Sequence, residues 1–247
     1  MSTILIIGGS WHLPIHYKKL IERLEGLGHR VICEPNPSNI TELPTTKNID
    51  DDVAFYKDLA AAEVAKGTRL TVLAHSWGGQ IATASLSGFA PTSPNSGGIT
   101  NIIFLAAFMP TEETWAITAA TRGVFTPNII VKDNNTLDWT DPIHCLYSDV
   151  PEDEAREAER LRSYFPVDAH VTDMRLDRVA WRDAPSSYIL CENDQAVALN
   201  FQDAILNGAK EAGGEFKEYR LQSGHSPFIS KVDDLVDIVT ECVKAHP

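Results

Sequence analysis

Ser76 stands in Ala74-His75-Ser76-Trp77-Gly78-Gly79, directly after the apolar run Leu70 to Ala74. A serine that attacks a carbonyl is best held on a sharp turn from a strand into a helix. Its backbone is strained there and the helix passes close by, so small residues are needed two positions on either side. Ala74 and Gly78 meet that need, and the segment reads as a variant of the G-x-S-x-G nucleophile elbow, with helix over 80–88. The turn exposes Ser76 Oγ and aims the Trp77 backbone N–H at the carbonyl under attack, where the helix start favours negative charge. A surface serine in a glycine-rich turn is the alternative. The apolar strand before it and the glycine pair after it weigh against that.

Serine alone is a weak nucleophile and needs a base that a third group orients. After an elbow serine the acid and then the histidine follow, on loops after later strands. Of the eight histidines, His225 sits just past the last strand-like run, in Gln222-Ser223-Gly224-His225-Ser226. Cys191-Glu192-Asn193-Asp194 follows the penultimate one, and Asp194 is the expected acid. Glu192 is nearer the strand end, has the longer side chain and competes for the role; Asp203 reads as helix surface. The loop after the first strand, Gly8-Gly9-Ser10-Trp11, is the expected source of a second oxyanion donor. Glycine there lets backbone approach a ligand closely, which puts Gly9 and Trp11 beside the substrate. His12 and His16 are spaced like a metal pair but have no carboxylate or third histidine with them, so no metal is expected. With neither G-x-G-x-x-G nor a Walker lysine, no phosphate-bearing cofactor is expected either.

The elements that must position these residues alternate. Strands are expected at Ile4 to Ile7, Arg30 to Glu34, Leu70 to Ala74, Ile99 to Ala107, Ser187 to Cys191 and Phe216 to Leu221. Helices are expected at Pro14 to Leu27, Asp50 to Lys66, Ala196 to Ala212 and Val232 to Val243, the last opened by a Ser230/Asp233 capping box. This is the pattern of a mostly parallel sheet with helices on both faces. Residues 109–185 break the rhythm and read as a cap insertion within one 247-residue domain. A helix over Ser148 to Phe165 is expected in it, with its charges on a solvated face. Trp115, Trp139 and Tyr147 either line a substrate pocket or form the cap's own core. His144 and His170 could touch substrate, with surface positions the expectation for both.

Acidic residues outnumber basic ones, 34 to 21, which argues against nucleic acid or an anionic membrane as partner. No apolar run approaches the roughly 20 residues needed to span a bilayer. Met1-Ser2-Thr3 enters a strand without a basic segment, so no signal peptide is expected. Cys33, Cys145, Cys191 and Cys242 are scattered and read as packed thiols in a reducing, cytoplasmic setting. The expected partner is a small-molecule substrate, with a homodimer left open.

Leu27-Gly28-His29-Arg30-Val31, Ala74 to Gly79, Phe104 to Pro110, Cys191 to Val197 and Gly224 to Phe228 together resemble the α/β-hydrolases of the plant methyl esterase and hydroxynitrile lyase type. The likeness runs nearly end to end outside the cap. It implies an α/β-hydrolase fold, Ser76 as nucleophile, His225 as base and Asp194 as acid. It also implies an oxyanion hole from the Ser10 and Trp77 backbone N–H groups. The chain departs from that pattern at Gly8-Gly9, where relatives have His-Gly, and at Ala74, where they have glycine.

The reaction expected is hydrolysis of a small carboxylic ester or lactone through an acyl-enzyme. A lyase or cyclase using the same three residues is the main rival, and a receptor with little turnover belongs to a different class. In the lyase branch of the family a lysine follows the catalytic histidine and a threonine stands in the oxyanion loop. The matching positions here are Ser226 and Gly9, which speak against cyanohydrin cleavage.

Overall fold

The computed structural model describes residues 2–112, 128–172 and 176–246. Six parallel strands form one sheet: β1 Thr3–Ile7, β2 Arg30–Cys33, β3 Arg69–His75, β4 Gly98–Leu105, β8 Ser186–Cys191 and β9 Phe216–Leu221. Their spatial order is β2-β1-β3-β4-β8-β9. The middle strands are mostly apolar because both faces are covered. Side chains alternate between faces, so Leu5, Ile7, Val72 and Phe104 enter one core while Ile4, Ile6, Leu73 and Ile103 enter the other. Helices α2 (Ile49–Ala65) and α3 (Gly78–Ser85) cover the first core through Tyr56, Ala60 and Ile81. Helix α1 (Lys18–Gly26) covers the second through Leu20 and Leu24. Burying each such large apolar side chain stabilises by about 1.5–3 kcal/mol.

The sheet grows from β1 in both directions, to β2 on one side and β3 on the other. The loops leaving β1 and β3 therefore diverge and open a crevice at the carboxyl ends of those strands, where α/β sheets bind ligands. That crevice brings the loop from Gly8 beside the turn at Ser76.

Between β4 and β8 the described residues form a cap with its own small antiparallel sheet. It consists of β5 (Ile129–Val131), β6 (Thr136–Trp139) and β7 (Phe165–Pro166) in that order. Periodicity cannot reveal strands of two to four residues, and this sheet was not expected. The expected helix over 148–165 is shorter. Helix α4 spans Pro142–Tyr147 and α5 spans Glu152–Arg160, with Pro151 at the N-cap of α5. Beyond α5 the chain extends, because Tyr164 pairs with Ile40 of the main body and Phe165 with Leu137. The solvated face is as expected: Glu152 pairs with Arg156 and Glu157 with Arg160, all well exposed. Two further helices flank the cap and the C-terminal sheet edge, α6 Val167–Val171 and α7 Leu199–Glu211.

After β9 come a short helix α8 (Pro227–Ser230) and the C-terminal α9 (Val232–Ala245). The Ser230/Asp233 capping box does not form. Lys231 occupies the N-cap, and Ser230 Oγ donates instead to Asp149 Oδ2 at 2.8 Å, a cap carboxylate that sequence spacing could not reveal. Cys242 packs on the buried face of α9 as expected, and all four cysteines are free. Among the described residues, no helix is long and apolar enough to cross a membrane.

Candidate active site

Ser76 follows β3 directly with φ 51°, in the left-handed region that non-glycine residues rarely adopt. Three backbone bonds hold it there. Its N–H donates to Leu105 O at 3.0 Å, and its carbonyl accepts from Gly79 at 3.0 Å and Phe108 at 3.1 Å. The helix leaves so close to β1 that a Cβ on Gly78 would lie 2.2 Å from the Ile7 carbonyl oxygen. No side chain fits, and this is the physical content of the small residue two positions after the serine.

His225 follows β9 and is buried. Its Nδ1 donates to Asp194 Oδ2 at 2.7 Å. The other carboxylate oxygen accepts the N–H groups of Ala196 and Val197, each at 2.8 Å, so Asp194 is fixed in orientation. Glu192 is not part of this arrangement; it faces Arg220 at 3.3 Å on the surface, and Arg220 also reaches Asp203. With Nδ1 committed to Asp194, Nε2 is the ring nitrogen of His225 left for the cavity that Ser76 also lines.

That cavity has a volume of about 330 Å³. Ser10, Ser76 and His225 stand on its wall, and Trp11, Phe108, Ile129, Trp139, Leu146 and Phe201 make much of the rest apolar. Among the described residues the wall carries no Asp, Glu, Lys or Arg. The backbone N–H groups of Ser10 and Trp77 have no hydrogen-bond partner among the described residues. Two such donors flanking a serine suit an oxygen that acquires negative charge.

Trp11 and Trp139 therefore lie where a substrate pocket was expected, their rings 5.6 Å apart. Tyr147 and Gly9 do not. Tyr147 is fully buried with its hydroxyl 3.2 Å from His12 Nε2, behind the loop. Gly9 has both backbone groups engaged, its N–H by Tyr17 Oη at 2.9 Å and its carbonyl by Asn39 Nδ2 at 2.8 Å. A Cβ on Gly9 would sit 2.9 Å from His75 Nδ1, so this glycine allows close packing against the elbow. Trp115 lies outside the described residues.

His170, expected at the surface, is buried on the cavity wall and stacks on the Trp77 indole at 5.6 Å between ring centres. Burial pushes its pKa down to about 4, so it stands there neutral. His144 is exposed as expected. The metal-like spacing of His12 and His16 serves the loop and the cap. His12 Nδ1 donates to Ser10 O at 2.9 Å, and His16 Nε2 donates to Ala158 O at 3.0 Å. Among the described residues no group of three or more His, Cys, Asp or Glu could hold a metal ion.

Sequence reasoning missed Tyr17, which lies within the helix expected over Pro14 to Leu27. Its hydroxyl accepts from Gly9 and so donates to His75 Nδ1 at 2.8 Å; His75 Nε2–H in turn donates to the His225 carbonyl at 3.0 Å. Burial raises the Tyr17 pKa well above its ordinary value and lowers that of His75, so both stay neutral and the direction of these bonds is fixed. Asn36 and Asn39 were missed as well, because nothing in a polar loop marks which amide will face backbone.

Residues 4–238 match the family model described as "Alpha/beta hydrolase family". The chain belongs to the alpha/beta hydrolase family. This alpha/beta hydrolase is 25% identical over 245 residues to "Alpha/beta hydrolase nvfD" of Aspergillus novofumigatus (strain IBT 16806), covering 96% of this chain and 94% of that protein. Among solved structures it is similar to a methylesterase from Arabidopsis, with TM-score 0.76 and 19% identity, covering 99% of this chain and all of the other. It is also similar to tomato methylketone synthase I bound to 2-tridecanone, with TM-score 0.77 and 16% identity, over 100% and 99% of the two chains. The fold expected from the sequence is thus that of the family, and the chain is a hydrolase-type enzyme.

Proposed function

We propose that the protein cleaves a small, neutral carboxylic ester or lactone through an acyl-enzyme on Ser76. The observation that carries this reading is the pairing of a left-handed elbow serine with a histidine fixed by Asp194 at 2.7 Å, both on one cavity. Ser76 Oγ attacks the carbonyl carbon while His225 Nε2 takes its proton. The carbonyl oxygen, now an anion, takes hydrogen bonds from the Ser10 and Trp77 N–H groups. Collapse expels the alkoxide, which receives the proton from His225, and water then attacks the acyl-enzyme with His225 again as base. Asp194 holds the imidazole tautomer throughout and stabilises its protonated form.

The largely apolar wall, which carries no Asp, Glu, Lys or Arg among the described residues, suits an uncharged alkyl or aryl group. The fully buried thiols Cys145, Cys191 and Cys242 are unpaired, which fits a reducing cytoplasmic setting. A second reading, lyase chemistry on the same residues, draws on the likeness to methylketone synthase. Cyanohydrin cleavage is the least suited form of it, because Gly9 has no side chain and Ser226 is buried away from the cavity wall.

A panel of short aryl esters, alkyl methyl esters and lactones, assayed beside β-keto acids and cyanohydrins, separates the readings. Ester or lactone turnover that outruns ketone or cyanide release supports the proposal. Faster release of carbon dioxide or cyanide than any ester cleavage contradicts it.

A further inference from the structure

One buried amide side chain, Asn39, grips three backbone groups of the loop after β1. Its Nδ2 donates to the carbonyls of Gly9 and His12, both at 2.8 Å, and its Oδ1 accepts from the Trp11 N–H at 3.0 Å. The Gly9–Ser10 peptide is planar and trans, so its carbonyl and N–H point in opposite directions. Asn39 at 2.8 Å, with the more distant His12 N–H at 3.3 Å, holds the Gly9 carbonyl and so turns the Ser10 N–H to the other side, onto the cavity that Ser10 and Ser76 line. The next peptide is gripped at both ends, its carbonyl by His12 Nδ1 at 2.9 Å and its N–H by Asn39. Trp11 itself has φ 64°, a conformation non-glycine residues rarely adopt, so the loop needs outside support to keep this shape.

We infer that Asn39 is the positioning residue of the oxyanion hole: it acts through the Gly9–Ser10 peptide to keep the Ser10 N–H on the developing oxyanion. Asn39 does not reach the cavity wall, and its effect passes through the backbone alone. Its own loop is braced from α2. Ser38 N–H and Oγ bond Asp52 at 2.7 and 2.6 Å, and the Tyr56 hydroxyl bonds Asn36 Oδ1 at 2.9 Å. Asn36 Nδ2 in turn holds the Gly8 carbonyl at 2.9 Å. The inference rests on the reading of Ser76 as nucleophile given above.

The test uses the purified full chain with p-nitrophenyl butyrate as substrate. It compares two ketone inhibitors: octyl trifluoromethyl ketone, which forms an oxyanion on the serine, and octyl methyl ketone, which does not. Asn39→Ala and Asn39→Ser should each lower kcat by about 10²-fold, as expected for loss of one oxyanion donor, with KM within about threefold. Affinity for the trifluoromethyl ketone should fall by a comparable factor while that for the methyl ketone holds. Asn48→Ala, which removes the side-chain cap of α2, controls for lost stability: Tm falls and kcat does not.

A second readout needs no variant. In the parent protein, an anion on the Ser10 N–H polarises the Gly9 carbonyl and strengthens its bond to Asn39. The Ser10 backbone amide and the Asn39 side-chain amide protons should therefore both move downfield in NMR spectra when the trifluoromethyl ketone binds. An inactive Ser76→Ala together with Asn39 variants of parental kcat and ketone affinity would overturn the inference and leave the catalytic reading standing. So would an adduct that moves neither amide. Turnover that survives in Ser76→Ala would remove the catalytic reading itself.

Discussion

His75 and His225 lie with their ring centres 4.7 Å apart, and the Nε2–H of His75 donates to the His225 backbone carbonyl at 3.0 Å. The residue before the elbow serine thereby anchors the loop that carries the base. Through Tyr17 the same imidazole reaches the Gly9 N–H, so three loops from β1, β3 and β9 are tied to one neutral side chain. The register of nucleophile, base and oxyanion loop is thus held from behind, away from the substrate.

Tyr17→Phe should destabilise the protein while leaving its shape. The change orphans the Gly9 N–H and His75 Nδ1, both buried, and such losses cost about 1–3 kcal/mol. In a chain of this size that lowers Tm by several degrees, at roughly 2–4 °C per kcal/mol. A thermal melt of the variant indistinguishable from the parent would show that the Tyr17 hydroxyl carries no such role.

Asp194→Asn should lower kcat on the order of 10⁴-fold, because an amide facing His225 Nδ1 favours the wrong tautomer. Glu192→Gln should leave kcat within about threefold, since its carboxylate faces Arg220 on the surface. Steady-state kinetics on the two variants decide the matter, and a larger loss from Glu192→Gln would reassign the acid.

Asp52 sets a pH dependence of stability. Burial raises its pKa to about 7, partly opposed by the Ser38 hydroxyl and amide and by Trp77, and reinforced by Asp51. The folded protein therefore keeps a proton that the unfolded chain releases above its ordinary value of 3.8. The associated stability is fully present below about pH 4 and is lost as pH rises through about 7, by at most about 1.4 kcal/mol per pH unit. Asp52→Asn does not ionise, so its Tm relative to the parent should rise between about pH 4 and pH 8. A difference that stays flat or falls over that window would contradict the raised pKa.

The sheet was legible in the sequence because strands covered on both faces appear as largely apolar runs, and glycines mark where helices crowd them. Ser76 and Asp194 could be singled out because each stands just past such a run, and His225 because it follows the last strand, Phe216–Leu221. The cap resisted reading for the opposite reason: its strands are too short for periodicity, and its aromatics give no sign of which way they face. Tyr147 turned to His12, and His170 turned from an expected surface position onto Trp77. Asn39 and Tyr17 act by meeting backbone groups 30 and 8 residues away, contacts that only the folded chain creates.

Covalent labelling of Ser76 is the most direct test of the central claim. The parent protein, treated with a fluorophosphonate, should gain the mass of one phosphonyl group, and peptide mapping should place it on Ser76. Ser76→Ala should take up none and should lose about 10⁴-fold or more in kcat. Labelling of the Ser76→Ala protein at the parental rate, or ester turnover that persists in it, would contradict the account.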